Sequence, residues 1–371
     1  MKFCFFGNIS GALRGQTPGG GELQVCLLAT ALALKGHEVV IIDPSSAESF
    51  VTDEGVKVIN MPRWNKGVKG LRLFSYRIPT LWKTLVRENA DYYYVRMRVY
   101  LHLIPYLAAK KIKGKFIVGL AHDLDALSFA TKFKYEYKPK FNLFKFVTLV
   151  IPNDLVFKYL LKRSDYITLQ HAGQELNENS IRGKAGVFPN IFDNKNLPVV
   201  QHPSKDYFIH VGTLTILKGA GNLYELIKSL DKKNTIIIVG KPKDKKSEKI
   251  YEQLGKMENV ILKGSVEHKE TIRLIANAKA LISTSNSEGF PNIFLEAWAT
   301  GVPVISLKVN PGNVINKYGL GICCDGDLEL MKDCIEKNET RFIDKEKLKS
   351  YVFEFHDFST AADRFLSIIN N

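Results

Sequence analysis

A pair of α/β domains built on parallel sheets is the fold class this sequence predicts, on three observations. Short runs of β-branched, aromatic and aliphatic residues alternate with longer segments of helical periodicity along most of the chain. A glycine-bearing loop, SGALRGQTPGGGE at residues 10–22, follows the first such run and leads into an apolar-periodic segment. Late in the chain, residues 280–305 read as strand, polar turn, short helix and strand again. The 371 residues are enough for two ordinary domains with proper cores.

Residues 2–9 (KFCFFGNI) read as a buried first strand, 23–35 as a helix ended by Gly36, and EVVIID at 38–43 as the next strand. Gly19, Gly20 and Gly21 let backbone N–H groups approach a ligand, and the plainer reading is a flexible connection. A dinucleotide fingerprint would place G-x-G-x-x-G directly after the strand, whereas this loop is longer and differently spaced. Strand-like 56–61, a basic and aromatic stretch at 63–87, strand-like 92–98 and a helical run at 99–112 follow. KFIVGLAH at 115–122 is a buried strand that delivers His122 and Asp123 to its carboxyl end, the ligand-binding edge of open α/β sheets. A lone histidine there is more often structural.

Residues 131–163 mix lysines with Phe and Tyr before turning apolar. Two readings stand: snorkelling lysines around aromatic anchors at a bilayer interface, or an acceptor loop followed by a core helix. Pro139 and Pro152 argue against one continuous helix. Strand-like 164–170 and 185–193 close the first domain, and proline-bearing 197–206 reads as a linker. The second domain opens with strand-like 206–214, the turn TILKGAG and a helix from about 222 to 230. Strands at 235–240, 260–266 and 280–285 continue the alternation, and KPKDKKSEK at 241–249 reads as a solvated charge run. The expected spans are 1–198 and 199–354, with a terminal helical segment at 355–371.

Composition narrows the partners. Hydrophobic and charged fractions of 45% and 24% are those of a soluble globular protein, and no apolar run approaches the ~20 residues that cross a bilayer. The N-terminus has no signal-peptide cleavage pattern. Five cysteines, an odd number without metal-site spacing, suggest reduced thiols in the cytoplasm. The net charge of +14 is unevenly spread: residues 1–200 hold 28 Lys and Arg against 16 Asp and Glu, the remainder 24 against 22. A basic first half beside a nearly neutral second half suggests an anionic surface or substrate for the first domain. No helix-turn-helix, zinc-finger or RNA-recognition pattern supports nucleic acid, and anionic lipid fits the charge at least as well.

The chemistry concentrates in residues 285–305. Glu288 lies in the turn before the helix and Glu296 inside it, with Gly289 giving backbone freedom and Pro291 fixing the approach to the first turn. The unpaired N–H groups of a helix start suit phosphate or sugar oxygens, and a nearby carboxylate accepts hydrogen bonds from sugar hydroxyls. The plainer reading is that Glu288 caps the helix and Glu296 is a solvated face residue.

EGFPNIFLEAWATGVPVI, residues 288–305, resembles the second-domain signature of retaining glycosyltransferases of family 4, which have the GT-B fold. That signature pairs two glutamates separated by seven residues around a G-F-P/G turn and runs on into L-E-A-x-A-x-G-x-P-V-I. The P-G-G-G-E loop, His122, the Pro189–Asn190 turn, Lys218 and FHDFSTAADRFLSII at 355–369 extend the resemblance over essentially the whole chain. It implies two facing Rossmann-like domains with an interdomain cleft, acceptor on the first and nucleotide-sugar on the second, the terminal segment packing back on the first.

The implied activity is retaining, metal-independent transfer from a nucleotide-diphosphate sugar to an acceptor hydroxyl, in cell-surface polysaccharide or glycolipid synthesis, with no cofactor besides the co-substrate. By resemblance, Glu288 orients the donor sugar and faces the developing oxocarbenium ion, and His122 contacts that sugar from the first domain. Gly20, Gly21, Gly212, Thr213 and Lys218 would surround the diphosphate, and Gly264 and Val266 the base through backbone groups. Phe290, Asn292 and Ile293 would form the helix start at the donor, and Glu296 would bind ribose hydroxyls. Two positions depart from the pattern: Thr213 stands where G-R-L-x-x-x-K-G has arginine, and Ile191 where I-P-N-G-V-D has glycine. The implied partners are a nucleotide-diphosphate sugar and a glycan or lipid-linked acceptor, with an anionic membrane surface at the inner face of the cell. A sugar-nucleotide 2-epimerase and a non-catalytic nucleotide-sugar-binding protein remain as rival readings.

Overall fold

The computed structural model describes residues 1–14, 19–125, 127, 133, 142–174, 176, 181–197 and 206–370. The chain divides into two compact units, Met1–Ile191 with Phe358–Asn371, and Phe192–Asp357. The first unit is an eight-stranded sheet of β1 (Lys2–Phe6), β2 (Glu38–Asp43), β3 (Phe50–Val51), β4 (Val56–Asn60), β5 (Tyr92–Arg96), β6 (Lys115–Gly119), β7 (Tyr166–Leu169) and β8 (Lys184–Val187), in the order β3-β4-β2-β1-β5-β6-β7-β8. All neighbours are parallel except the short β3, which runs against β4. Successive residues of β1 enter opposite cores. Phe3 and Phe5 pack with α1 (Gly20–Leu34) and the terminal helix Ala361–Asn370. Cys4 and Phe6 pack with α2 (Ile78–Glu88), α3 (Leu103–Ile112) and α4 (Ile151–Arg163). Burial on both faces explains why these strands read as unbroken apolar runs.

The second unit is a parallel six-stranded sheet of β9 (Tyr207–Val211), β10 (Thr235–Val239), β11 (Val260–Gly264), β12 (Leu281–Ser283), β13 (Val304–Ser306) and β14 (Gly321–Cys323), ordered β11-β10-β9-β12-β13-β14. α5 (Ala220–Ser229), α6 (Lys245–Leu254) and α9 (Leu328–Glu336) cover one face. α7 (His268–Ala276), α8 (Asn292–Ala299) and α10 (Lys345–Phe355) cover the other around Trp298, whose indole N–H donates to the Leu320 carbonyl at 2.8 Å. In each sheet the connections reverse direction beside the first strand, between β1 and β5 and between β9 and β12. Loops leaving the carboxyl ends of such a strand pair diverge and leave room for a ligand.

Two expectations change. The chain joins the second core at Phe192, whose N–H donates to the His356 carbonyl at 2.7 Å, so the division falls at 191/192 and 357/358, not at 198/199 and 354/355. Most of the expected linker, 198–205, lies outside the described residues. Pro152 does not break its helix: Leu143–Lys145 continues through a π-helical turn, Phe146–Val150, into α4. That wider turn accommodates a ring with no N–H to donate; Pro139 lies outside the described residues. The charge run at 241–249 is solvated as expected, its lysines exposed; its second part opens α6, which Asp244 caps by accepting from the Ser247 N–H at 3.1 Å. The terminal segment runs from the last residue of α10 through His356–Asp357 and a 3-10 turn, Phe358–Thr360, into the helix Ala361–Asn370, which packs on the first unit's core as expected.

Candidate active site

The second unit assembles its site from the loops after β9 and β12. Gly219, the N-cap of α5, has φ of 71°, and a Cβ there would lie 1.8 Å from the Thr284 carbonyl oxygen. Only glycine permits this approach, and the Thr284 hydroxyl donates back to the Gly219 carbonyl at 3.1 Å. The β9 loop is thereby pressed onto the β12 loop. Lys218 Nζ lies 2.9 Å from Glu288 Oε1, which also accepts from the Ser285 hydroxyl at 3.0 Å. The lysine is 46% exposed and the glutamate 18%, so the acid is the more buried partner.

Glu288 does not cap α8, whose N-cap is Pro291 and has no side-chain cap. Asn292 and Ile293 form the first turn, half-buried. Glu296, one turn on, is buried rather than solvated, and its Oε1 lies 3.1 Å from His268 Nε2 at the start of α7. That hydrogen bond raises the His268 pKa above its ordinary value, outweighing the burial that lowers it. Each acid at the switch point is thus held by one cationic or ionisable side chain.

The remaining positions expected at the donor lie in the same unit. Gly212 and the exposed Thr213 follow β9, and a Cβ on Gly240 would lie 2.0 Å from the Gly212 carbonyl oxygen. Gly264 ends β11; its carbonyl accepts from Gly240 N–H at 2.7 Å, and the Lys241 side chain lies against it. Val266 packs on the core, and the Phe290 ring is buried against His356 and Trp298, with centroids at 4.8 and 6.3 Å. Under the loops, burial lowers the His210 pKa to about 4, with Nδ1 3.1 Å from the Ile282 carbonyl oxygen.

In the first unit Gly20 and Gly21 open α1, and Gly21 faces the Met97 side chain at the end of β5. His122 follows β6. Its Nδ1 accepts from the Leu124 N–H at 3.1 Å, which puts the proton of the neutral ring on Nε2. Buried Asp125 accepts from the Ala121 and His122 N–H groups, both at 2.9 Å, and pairs with Arg98 Nε at 2.8 Å. This network fixes the loop that carries His122. Ile191 stands where the family has glycine, yet it is not among the residues with positive φ. Its N–H and carbonyl are both bound by the Gln24 amide, at 2.5 and 2.8 Å. Sequence reasoning missed His268, Asp125, Arg98 and Gln24. The one local signal was a histidine two residues beyond the Val266 turn.

All five cysteines are buried free thiols, and burial pushes Cys26 and Cys324 up to about 12 and Cys334 up to about 11.

Two parallel-sheet units of this kind are the architecture of the GT-B fold. Solved structures with this fold cover the whole chain. A sucrose-phosphate synthase from Thermosynechococcus elongatus superposes with a TM-score of 0.79 at 14% identity, covering 98% of that chain. The Anabaena protein HepE in complex with UDP-glucose gives 0.68 at 14% identity over 99% of its chain. WaaG, a glycosyltransferase involved in lipopolysaccharide biosynthesis, gives 0.69 at 16% over 99%. The family model for glycosyl transferases group 1 matches residues 194–349, and that for glycosyltransferase family 4 matches residues 18–166. Together these account for most of the chain, which belongs to this family. Among curated relatives, an uncharacterised glycosyltransferase of Methanocaldococcus jannaschii is 27% identical over 43% of this chain and 43% of its own length. One subunit of the human phosphatidylinositol N-acetylglucosaminyltransferase is 24% identical over 86% of this chain and 65% of its own. The chain therefore spans less than two-thirds of either relative.

Proposed function

We propose that the protein transfers a sugar, with retention and without a metal, from a nucleotide-diphosphate sugar to an acceptor hydroxyl. The observation that carries this reading is the Lys218–Glu288 pair at 2.9 Å in the loops before α8, whose first turn leads to Glu296. Cleavage at the anomeric carbon leaves new negative charge on the departing diphosphate. Lys218 has three donors and can turn from Glu288 to the phosphate oxygens, with the N–H groups of the α8 start adding to the positive field. Glu288, released, faces the electron-poor sugar, Glu296 accepts from ribose hydroxyls, and His122 contacts the transferred sugar. Thr213 offers a hydroxyl in place of the second cation. That HepE and its complex with UDP-glucose share the fold supports a uridine donor as the first to try.

The acceptor is a glycan or lipid-linked intermediate of cell-surface polysaccharide or glycolipid synthesis, met by the basic first half of the chain at the cytoplasmic face of an anionic membrane. Screening UDP-, GDP- and ADP-sugars for donor hydrolysis, with and without chelator, tests the reaction. Retained anomeric configuration and indifference to chelator are expected. Inversion at C2 of the sugar, or donor binding without any turnover, would replace the transferase with an epimerase or a sensor.

A further inference from the structure

One acid interrupts the apolar run of α8. Phe294, Leu295, Ala297, Trp298 and Ala299 belong to the core, and Glu296 is buried among them. A carboxylate is kept in such surroundings only where its oxygens are bonded. His268 Nε2 meets Oε1 at 3.1 Å, whereas Oε2 has no partner among the described residues and is not sealed from solvent. The acid side chain is 12% exposed and the imidazole 48%, so the histidine reaches inward to the acid and not the reverse.

Both residues stand at the ligand edge. His268 is the first residue of α7, which follows β11, and Glu296 lies one turn into α8, which follows β12. Crossover helices start at the carboxyl edge of a parallel sheet. The imidazole Nε2–H donates in the neutral tautomer and in the imidazolium alike, so the contact does not depend on the charge of the ring. A glutamate has three rotatable side-chain bonds, and ordering them at the moment of binding weakens affinity. With Oε1 anchored beforehand, Oε2 is left oriented to accept from hydroxyls. We propose that His268 is a positioning residue for the nucleoside end of the donor: it fixes the Glu296 carboxylate and thereby sets donor affinity and the preference for a ribo- over a deoxyribonucleotide. It takes no part in sugar transfer. The proposal rests on the reading of Glu296 as the acid that binds ribose, and adds the partner on which that role depends.

The test is calorimetric titration of the full chain with UDP, GDP and ADP and their 2′-deoxy counterparts. Wild type should bind its preferred ribonucleotide about tenfold or more tightly than the deoxy form. His268→Ala should lose about that factor for the ribonucleotide and little for the deoxy form, and in donor hydrolysis the loss should fall on KM and not on kcat. His268→Gln, whose amide also donates, should recover most of it at an unchanged melting temperature. A ribo-to-deoxy ratio kept in His268→Ala, or equal losses for both nucleotides, would reduce the contact to a tie between two helices and overturn the proposal. Glu296→Ala separates the two layers. If it abolishes the preference while His268→Ala keeps it, only the positioning role falls; if it keeps the preference, the ribose reading falls and this proposal with it. Failure of all three diphosphates to bind would remove both.

Discussion

Both units build outward from a first strand, β1 or β9, with their ligand-ready loops at the point where the connections reverse. They differ in what holds the carboxylates there. In the first unit Asp43 accepts from the Ile9, Ser10 and Ser45 N–H groups at 2.9, 2.6 and 2.7 Å, and Asp125 holds the backbone at Ala121 and His122. In the second, Glu288 and Glu296 are held by the side chains of Lys218, Ser285 and His268. A carboxylate tied to backbone N–H groups cannot let go without unmaking the loop. One tied to a lysine can exchange that partner for a phosphate. The same topology therefore supplies loops pinned by Asp43 and Asp125 in one unit and a rearrangeable pair in the other.

The contrast breaks most visibly at the acids themselves. Glu288→Ala is expected to cut turnover about a hundred- to a thousandfold, with melting temperature and donor affinity nearly unchanged, since Lys218 remains. Asp43→Ala should do the reverse. It strands three backbone donors and costs on the order of 3 kcal/mol of stability, seen as a lowered unfolding midpoint. Equal effects of the two substitutions on stability would remove the distinction.

A smaller effect sharpens how the second site is assembled. Gly219 and Gly36 both have positive φ, at 71° and 83°, but a Cβ on Gly36 would meet nothing within 4 Å. Gly36→Ala should cost about 1–2 kcal/mol from backbone strain alone. Gly219→Ala adds a collision with the Thr284 carbonyl, so it should cost more and also weaken donor binding as Lys218 is displaced. Matching losses in chemical denaturation would mean that the close approach is not what positions the lysine.

Those residues show what could be read from the chain and what could not. The buried strands were legible because two-sided burial writes continuous apolar runs, and the glutamate turn because its features are local in sequence. The meeting of Lys218 with Glu288 depends on one glycine touching a carbonyl 65 residues away, which no local spacing encodes. His268 left only its place beyond the Val266 turn as a signal, since its partner Glu296 lies 28 residues on. α6 was obscured because its lysines mask the helical period while Asp244 supplies the cap. Phe290 stands inside the motif read as donor-binding, and its ring packs against Trp298 and His356, partners that local spacing does not encode.

The smallest expected effect concerns His268. Its pKa is raised in the folded state by the hydrogen bond to Glu296, so the protonated form is favoured by folding. The stability this pair contributes is fully present below the unfolded value of about 6.5, and is lost as pH rises through the raised folded value. His102 and His210 act oppositely: burial lowers their pKa values to about 3 and about 4, so the folded protein loses stability on acidification below about 6.5. The wild-type pH profile mixes these trends, and the difference between wild type and His268→Gln isolates the first. Thermal unfolding of the two proteins should show a gap near pH 5.5 that closes toward pH 9. Because the imidazole is half-exposed, solvent screening keeps that gap small. A gap that widens with pH would mean that Glu296 is not held by the imidazolium, and that the second unit's acids are not alike in having exchangeable partners.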